Sequence, residues 1–302
     1  MTLPNFFIIG AAKSGTSSLY LYLDQHPQIY MSPIKEPHFF SFDSVSKWTH
    51  GPGDTINQAI TNLDEYKELF NGVKDEIAIG EASTSYLYRS ETAKRIFEMI
   101  PNAKIITILR QPAERAFSAY MHVVRDQRET ARNFKEALCK EEKRKQENWD
   151  PIWHYTNVGF YYEQVLRFYN YFPKEQIKVY LFDELVNNPS MLLSDLFEFL
   201  SVDPDFRIDV NVRVNVSGQQ KSTTLTVLSN YLFMRSNPFR WISRKIIPKI
   251  WRWKVTSFIR GLNLKKNTIP LQERKELMDR FREDILKLQD LIKKDLTIWL
   301  EY

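Results

Sequence analysis

The chain has 302 residues, of which 43% are hydrophobic, with 7 Trp, 15 Tyr and 20 Phe; this suits one large α/β domain, or a core with an appended subdomain, and excludes a disordered chain. Its single cysteine, Cys139, excludes an intrachain disulfide and any paired-cysteine metal or redox site. The net charge of +5, from 42 Lys and Arg against 37 Asp and Glu, suits an anionic ligand without requiring one.

In chain order, Phe6-Phe7-Ile8-Ile9-Gly10 is a continuous apolar run ended by glycine, the pattern of a short buried strand. Ala11 to Thr16 is small and turn-like, and from Ser17 a helix is expected that ends near His26-Pro27. Lys104 to Leu109 (KIITIL) is a second buried strand, followed by a helix from about Pro112 to Val124 with proline in its first turn. Ile177 to Phe182 is a third strand, and helical patterns occupy Ser90–Ile100, Phe134–Gln146, Phe160–Tyr171 and Ser190–Leu200. Strands alternating with helices predict a parallel sheet with right-handed crossovers and helices on both faces, which binds its ligand at the carboxyl ends of the strands.

Thr223 to Lys266 contains no Asp or Glu but carries ten Lys and Arg interleaved with Trp241, Trp251 and Trp253. A solvated basic face with inward-packed tryptophans is expected there. The alternative is contact of 235–266 with an acidic acceptor or an anionic membrane surface. Leu271 to Leu300 has helical spacing throughout. One domain over 1–302 is therefore expected, with a basic aromatic helical insert at 223–270 and a C-terminal helix at 271–302. With no apolar run of about 18 residues and no basic n-region before an apolar stretch, a soluble, cytoplasmic protein is expected. No nucleic-acid-binding motif is present, so DNA and RNA are set aside as partners.

Two segments carry candidate chemistry. Gly10-Ala11-Ala12-Lys13-Ser14-Gly15-Thr16-Ser17-Ser18-Leu19 joins the first strand to the first helix, where backbone N–H groups and a helix N-terminus favour an anion. Lys13 adds a full charge, and Thr16 and Ser17 add hydroxyl donors. In a nucleoside-triphosphate loop the lysine directly follows the second glycine; here it precedes Gly15 by two residues. A tight turn lined with small residues remains the alternative for this loop alone. In Thr107-Ile-Leu-Arg110-Gln-Pro112-Ala-Glu-Arg-Ala-Phe-Ser118, an arginine at a strand's carboxyl end is placed to form paired hydrogen bonds to a phosphate, and Ser118 to reach the same group.

The pattern Lys13-x-Gly15-Thr16-x-x-Leu19 after an apolar strand resembles the 5′-phosphosulfate-binding loop of sulfotransferases that use 3′-phosphoadenosine 5′-phosphosulfate (PAPS). Thr107–Tyr120 resembles the family's 3′-phosphate motif. Ser32–Phe40, with Glu36-Pro37-His38-Phe39-Phe40, resembles the E-P-H-F-F segment of carbohydrate sulfotransferases of the heparan-modifying type and their bacterial relatives. Gly159-Phe160-Tyr161 with Phe172–Gln176 resembles their G-x-Y…F-P-x-E-Q stretch, and Arg213–Ser222 their late loop over the nucleotide.

The resemblance implies the P-loop-like α/β sulfotransferase fold, with PAPS as cosubstrate, 3′-phosphoadenosine 5′-phosphate (PAP) as product, and no metal. It implies that Lys13, Ser14, Gly15, Thr16, Ser17 and Ser18 surround the 5′-phosphosulfate and that Arg110 and Ser118 hold the 3′-phosphate. It also implies that Tyr161 lies by the adenosine and that Ser217, Gly218 and Lys221 close over the nucleotide. Glu36 occupies the family's catalytic glutamate position and is the implied general base. His38 is the competing base or its orienting partner, and His122 is a lesser candidate facing the cleft. Sulfuryl transfer is a loose in-line displacement governed by positioning and charge, and Lys13 is placed to stabilise the leaving charge.

The five histidines show no close metal-ligand spacing. Ala82 stands where heparan-modifying enzymes usually carry a lysine, so the expected acceptor is a saccharide, glycolipid or small secondary metabolite rather than necessarily a uronic-acid polymer. The rival readings are a P-loop small-molecule kinase, disfavoured by the lysine placement and the lack of a Mg²⁺-binding pattern, and a non-catalytic nucleotide-binding module.

Overall fold

The structure, a computed structural model, describes residues 2–42, 51–52, 59–210, 219–220, 264–265 and 267–301. Strands β1 (Phe6–Gly10), β2 (Ile29–Met31), β3 (Ala78–Ala82), β4 (Lys104–Leu109) and β5 (Ile177–Leu181) form one sheet in the order β2-β3-β1-β4-β5. Every neighbouring pair is parallel. The central strand is apolar throughout because helices cover both of its faces. Phe6 and Ile8 enter one core with α1 (Thr16–Leu23), α9 (Phe182–Asn187) and α10 (Pro189–Leu200). Phe7 and Ile9 enter the other, with α2 (Leu63–Glu68), α3 (Ser85–Tyr88), α4 (Thr92–Met99), α5 (Pro112–Arg125), α6 (Phe134–Cys139), α8 (Tyr161–Tyr169) and α11 (Leu271–Ile292). α7 spans Glu141–Gln146.

The three strands expected from apolar runs are β1, β4 and β5. β2 and β3 went unrecognised because β2 has three residues and β3 reads AIGEA, with a glycine and a carboxylate in it. Gly80 is demanded by its neighbour: a Cβ there would lie 2.1 Å from the Phe6 ring, and Phe6 pairs with Gly80 across the β1–β3 ladder. Two helical expectations are corrected. The 134–146 segment is two helices that meet at Lys140, and the C-terminal helix stops at Ile292, where Lys293 turns left-handed before a 3₁₀ turn over Thr297–Leu300. Gln219–Gln220 and Leu264–Lys265 pair antiparallel; the remainder of the basic 223–266 segment lies outside the described residues.

Candidate active site

The loops after β1, β2 and β3 are tied together at the carboxyl edge of the sheet. The Ala11 amide donates to the Ile108 carbonyl (2.8 Å), Ser83 to Ile8 (3.1 Å) and Glu36 to Ala82 (2.9 Å). In the first loop, Lys13 (φ 70°) and Gly15 (φ 92°) are left-handed. Gly15 begins α1 without a side-chain cap, which leaves the first helical amides for an incoming anion. A Cβ on Gly15 would come within 2.7 Å of the Leu185 side chain, so backbone angle and space both require glycine.

Thr16 is buried and Ser17 and Ser18 are half-buried in the helix's first turn, whereas Ser14 is fully buried beneath the loop. Lys13 is half-buried. Burial first, then the positive charges of Arg125 and Arg110, lower its ammonium to about 7, against the opposite pull of Asp126 and Glu36. A cation held among cations in this way is relieved by an anionic ligand.

Arg110 follows β4 directly. Its guanidinium lies over the Phe182 ring at 4.7 Å and 3.7 Å from Glu114 Oε2. Ser118 is buried on α5, whose start is capped by Gln111 accepting from the Glu114 amide at 2.7 Å. The same face of α5 continues through His122 to Arg125, at helical spacing from Ser118. Arg125 contacts His122 Nδ1 (2.7 Å) and donates to Asp126 Oδ1 (2.9 Å). Sequence reasoning missed Arg125, although the spacing Ser118, His122, Arg125 was the available signal. Tyr161 is fully buried and donates to the Arg110 carbonyl at 2.9 Å. Its side chain thus supports the backbone of Arg110.

Glu36 (φ 60°) and His38 (φ 57°) are left-handed residues of the loop after β2. Glu36 Oε1 accepts from Lys35 at 2.5 Å, while Oε2 accepts from Thr84 at 3.2 Å and lies 3.4 Å from His38 Nε2. Burial works to raise the Glu36 carboxyl, but the charge of Lys35, the facing His38 and the hydrogen bonds from Lys35 and Thr84 outweigh it and hold it at about 2. Glu36 is thus an ionised carboxylate with a crowded first oxygen.

Behind this pair lies Glu81, which the sequence did not single out. It is fully buried on β3 and accepts from Tyr86 (2.5 Å), Ser83 (2.8 Å) and Tyr66 (3.1 Å). Burial raises its carboxyl to about 7, with Glu36 adding to the rise and the three hydrogen bonds opposing it. Ser217, Gly218 and Lys221 lie outside the described residues. Among the described residues no cluster of three or more His, Cys, Asp or Glu is placed to hold a metal.

Residues 4–205 match the family model of the sulfotransferase family. Over 100% of both chains, the protein is similar to a sulfotransferase of Alicyclobacillus acidocaldarius known from its crystal structure, with 37% identity and a TM-score of 0.79. It is 38% identical over 120 residues to the membrane-associated sulfotransferase kil1 of Dictyostelium discoideum, a match covering 40% of this chain and 23% of that protein. It is 29% identical over 209 residues to the human bifunctional heparan sulfate N-deacetylase/N-sulfotransferase 3, covering 68% of this chain and 23% of that protein. The chain thus spans less than a quarter of the length of these two curated relatives.

Proposed function

The chain belongs to the sulfotransferase family, and we propose that it transfers the sulfuryl group of PAPS to a hydroxyl or amine, with Glu36 as general base. The observation that carries this reading is the loop after β1, where Lys13 and Gly15 are left-handed and α1 begins without a side-chain cap, an arrangement suited to an anionic sulfuryl donor. The residues fit the nucleotide by their chemistry: α1's free amides and Lys13 for the 5′ group, Arg110 with Ser118 for the 3′-phosphate, and no metal required.

PAPS supplies an activated sulfuryl group whose leaving oxygen gains negative charge. Glu36 takes the acceptor's proton as the acceptor-to-sulfur bond forms. Lys13 and the loop amides meet the charge that develops on the departing phosphate as its bond to sulfur breaks. Arg110, stacked on Phe182, fixes the far end of the nucleotide so that the displacement stays in line.

The acceptor class we propose is a saccharide, glycolipid or small secondary metabolite. Ala82 is fully buried, so the position that usually carries a lysine in heparan-modifying enzymes offers no charge here. We also place the protein in the cytoplasm as a single domain, with 235–266 as the segment that would touch an acidic acceptor or a membrane surface. Among the described residues, no helix is long and apolar enough to cross a membrane.

Mass spectrometry of an acceptor library incubated with labelled PAPS tests the reading directly: a product heavier by one sulfuryl group, formed without Mg²⁺, is expected. Strict dependence on Mg²⁺ and ATP would favour a kinase instead. Glu36→Gln should lower transfer by roughly 10²–10⁴-fold with PAP affinity by calorimetry nearly unchanged, and undiminished transfer would remove Glu36 from the base's role.

A further inference from the structure

Three consecutive hydroxyls in the turn joining β3 to α3 each engage a different part of the Glu36–His38 pair. Ser83 Oγ accepts from the His38 backbone amide (3.1 Å), Thr84 Oγ1 donates to Glu36 Oε2 (3.2 Å), and Ser85 Oγ lies 2.6 Å from His38 Nδ1. Ser85 Oγ in turn lies 2.6 Å from Ser41 Oγ, and the 3₁₀ turn that returns Ser41 beneath the imidazole is closed by the Ser41 amide donating to the His38 carbonyl at 2.9 Å. Ser41, Ser85 and His38 are 4%, 9% and 8% exposed. A polar chain this deeply buried has its hydrogens ordered by its partners.

The direction of that chain follows from its ends. The Glu36 carboxylate accepts only, so the ring nitrogen facing it carries the hydrogen. A neutral imidazole protonated on Nε2 has its lone pair on Nδ1, and the group opposite must then donate. In that tautomer Ser85 donates to Nδ1 and accepts from Ser41.

We propose that Ser85 is a positioning residue for sulfuryl transfer: its hydroxyl donates to His38 Nδ1, fixes the imidazole as the Nε2–H tautomer, and so aims that N–H at Glu36 Oε2, leaving Oε1 to Lys35 and the acceptor. The proposal rests on Glu36 being the base. It assigns His38 the role of orienting the carboxylate rather than taking the proton. Sequence alone offered no sign of this, because Ser85 stands 47 residues from His38 and 44 from Ser41.

Nitrogen-15 NMR of the histidine-labelled full chain at neutral pH reads the tautomer without reference to activity. The His38 signals should show an unprotonated Nδ1 and a protonated Nε2, and in Ser85→Ala they should shift or broaden as the ring loses its donor. An Nδ1–H tautomer or an imidazolium in the wild-type protein would overturn the proposal. With PAPS and p-nitrophenol as the assay pair, Ser85→Ala should lower kcat about 10-fold at unchanged KM for PAPS, with Ser85→Thr restoring it. In a His38→Ala background the same substitution should have no further effect, whereas an equal loss there would mark Ser85 as merely structural. A fully active Glu36→Gln would remove the base yet leave the tautomer standing, so the two readings fail separately.

Discussion

At the scale of single residues, the site is organised by charges that the fold holds away from their ordinary values. Lys13 sits at about 7 in the free protein, and a bound polyanion can only raise it. The complex therefore holds more protons than its components above pH 7, and affinity through this group falls as pH rises beyond about 7 and levels off below it. Calorimetry of PAP binding near pH 8, in two buffers of different ionisation enthalpy, should show uptake of roughly one proton per site. Lys13→Arg should abolish that uptake while keeping the charge, and an unchanged uptake in that variant would place the proton elsewhere.

Glu36 shows the reverse effect. Because Lys35 and His38 hold it at about 2, the acid limb of its kcat/KM profile should lie well below the usual carboxylate range, and Lys35→Ala should move that limb upward. A limb that stayed in place would mean that Lys35 does not contact the carboxylate in solution. Lys13 and Arg110 were legible in the sequence because each lies in a short motif at the end of an apolar strand, and Glu36 because it lies in the E-P-H-F-F segment. Ser85 was not, since its role comes from contacts with His38 and Ser41, 47 and 44 residues away in the chain.

At the scale of elements, the sheet was legible where strands are buried on both faces and read as apolar runs, as in β1, β4 and β5. β3 was hidden because two of its residues serve needs other than strand-making: Gly80 makes room for Phe6, and Glu81 anchors the hydroxyl network behind Glu36. The fit at Gly80 is testable. Gly80→Ala would bring a methyl into the Phe6 ring, and overpacking of this kind costs about 1–3 kcal/mol, and sometimes more. Thermal unfolding should show a lowered midpoint. Phe6→Leu, itself destabilising through lost packing, should recover part of the loss when combined with Gly80→Ala, so that the double variant is more stable than the sum of the singles. Strict additivity would show that the ring and the glycine do not meet.

For the molecule as a whole, the pH dependence of stability is set by buried groups of opposite sign, and Glu81 is the one closest to the chemistry. Its carboxyl is raised from 4.5 to about 7. Between those values the folded chain keeps a proton that the unfolded chain has released, so stability through this group is greatest below 4.5 and is lost as pH rises through about 7. Asp284, raised by burial from 3.8 to about 6, acts in the same direction over a lower window. His154, lowered from 6.5 to about 4 chiefly by burial, opposes both: it weakens the fold as pH falls from 6.5 to 4. These groups give slopes of both signs between pH 4 and 7, and only a difference isolates one of them. Glu81→Gln keeps a polar side chain of the same length but cannot titrate, so its stability should change less than that of the wild type between pH 4.5 and 7. At about 1.4 kcal/mol per unit, the difference reaches at most roughly 3 kcal/mol. Urea unfolding at pH 5 and pH 7.5 measures it. Parallel curves for the two proteins would mean that Glu81 is ionised throughout, held by Tyr86, Ser83 and Tyr66 more strongly than burial opposes it.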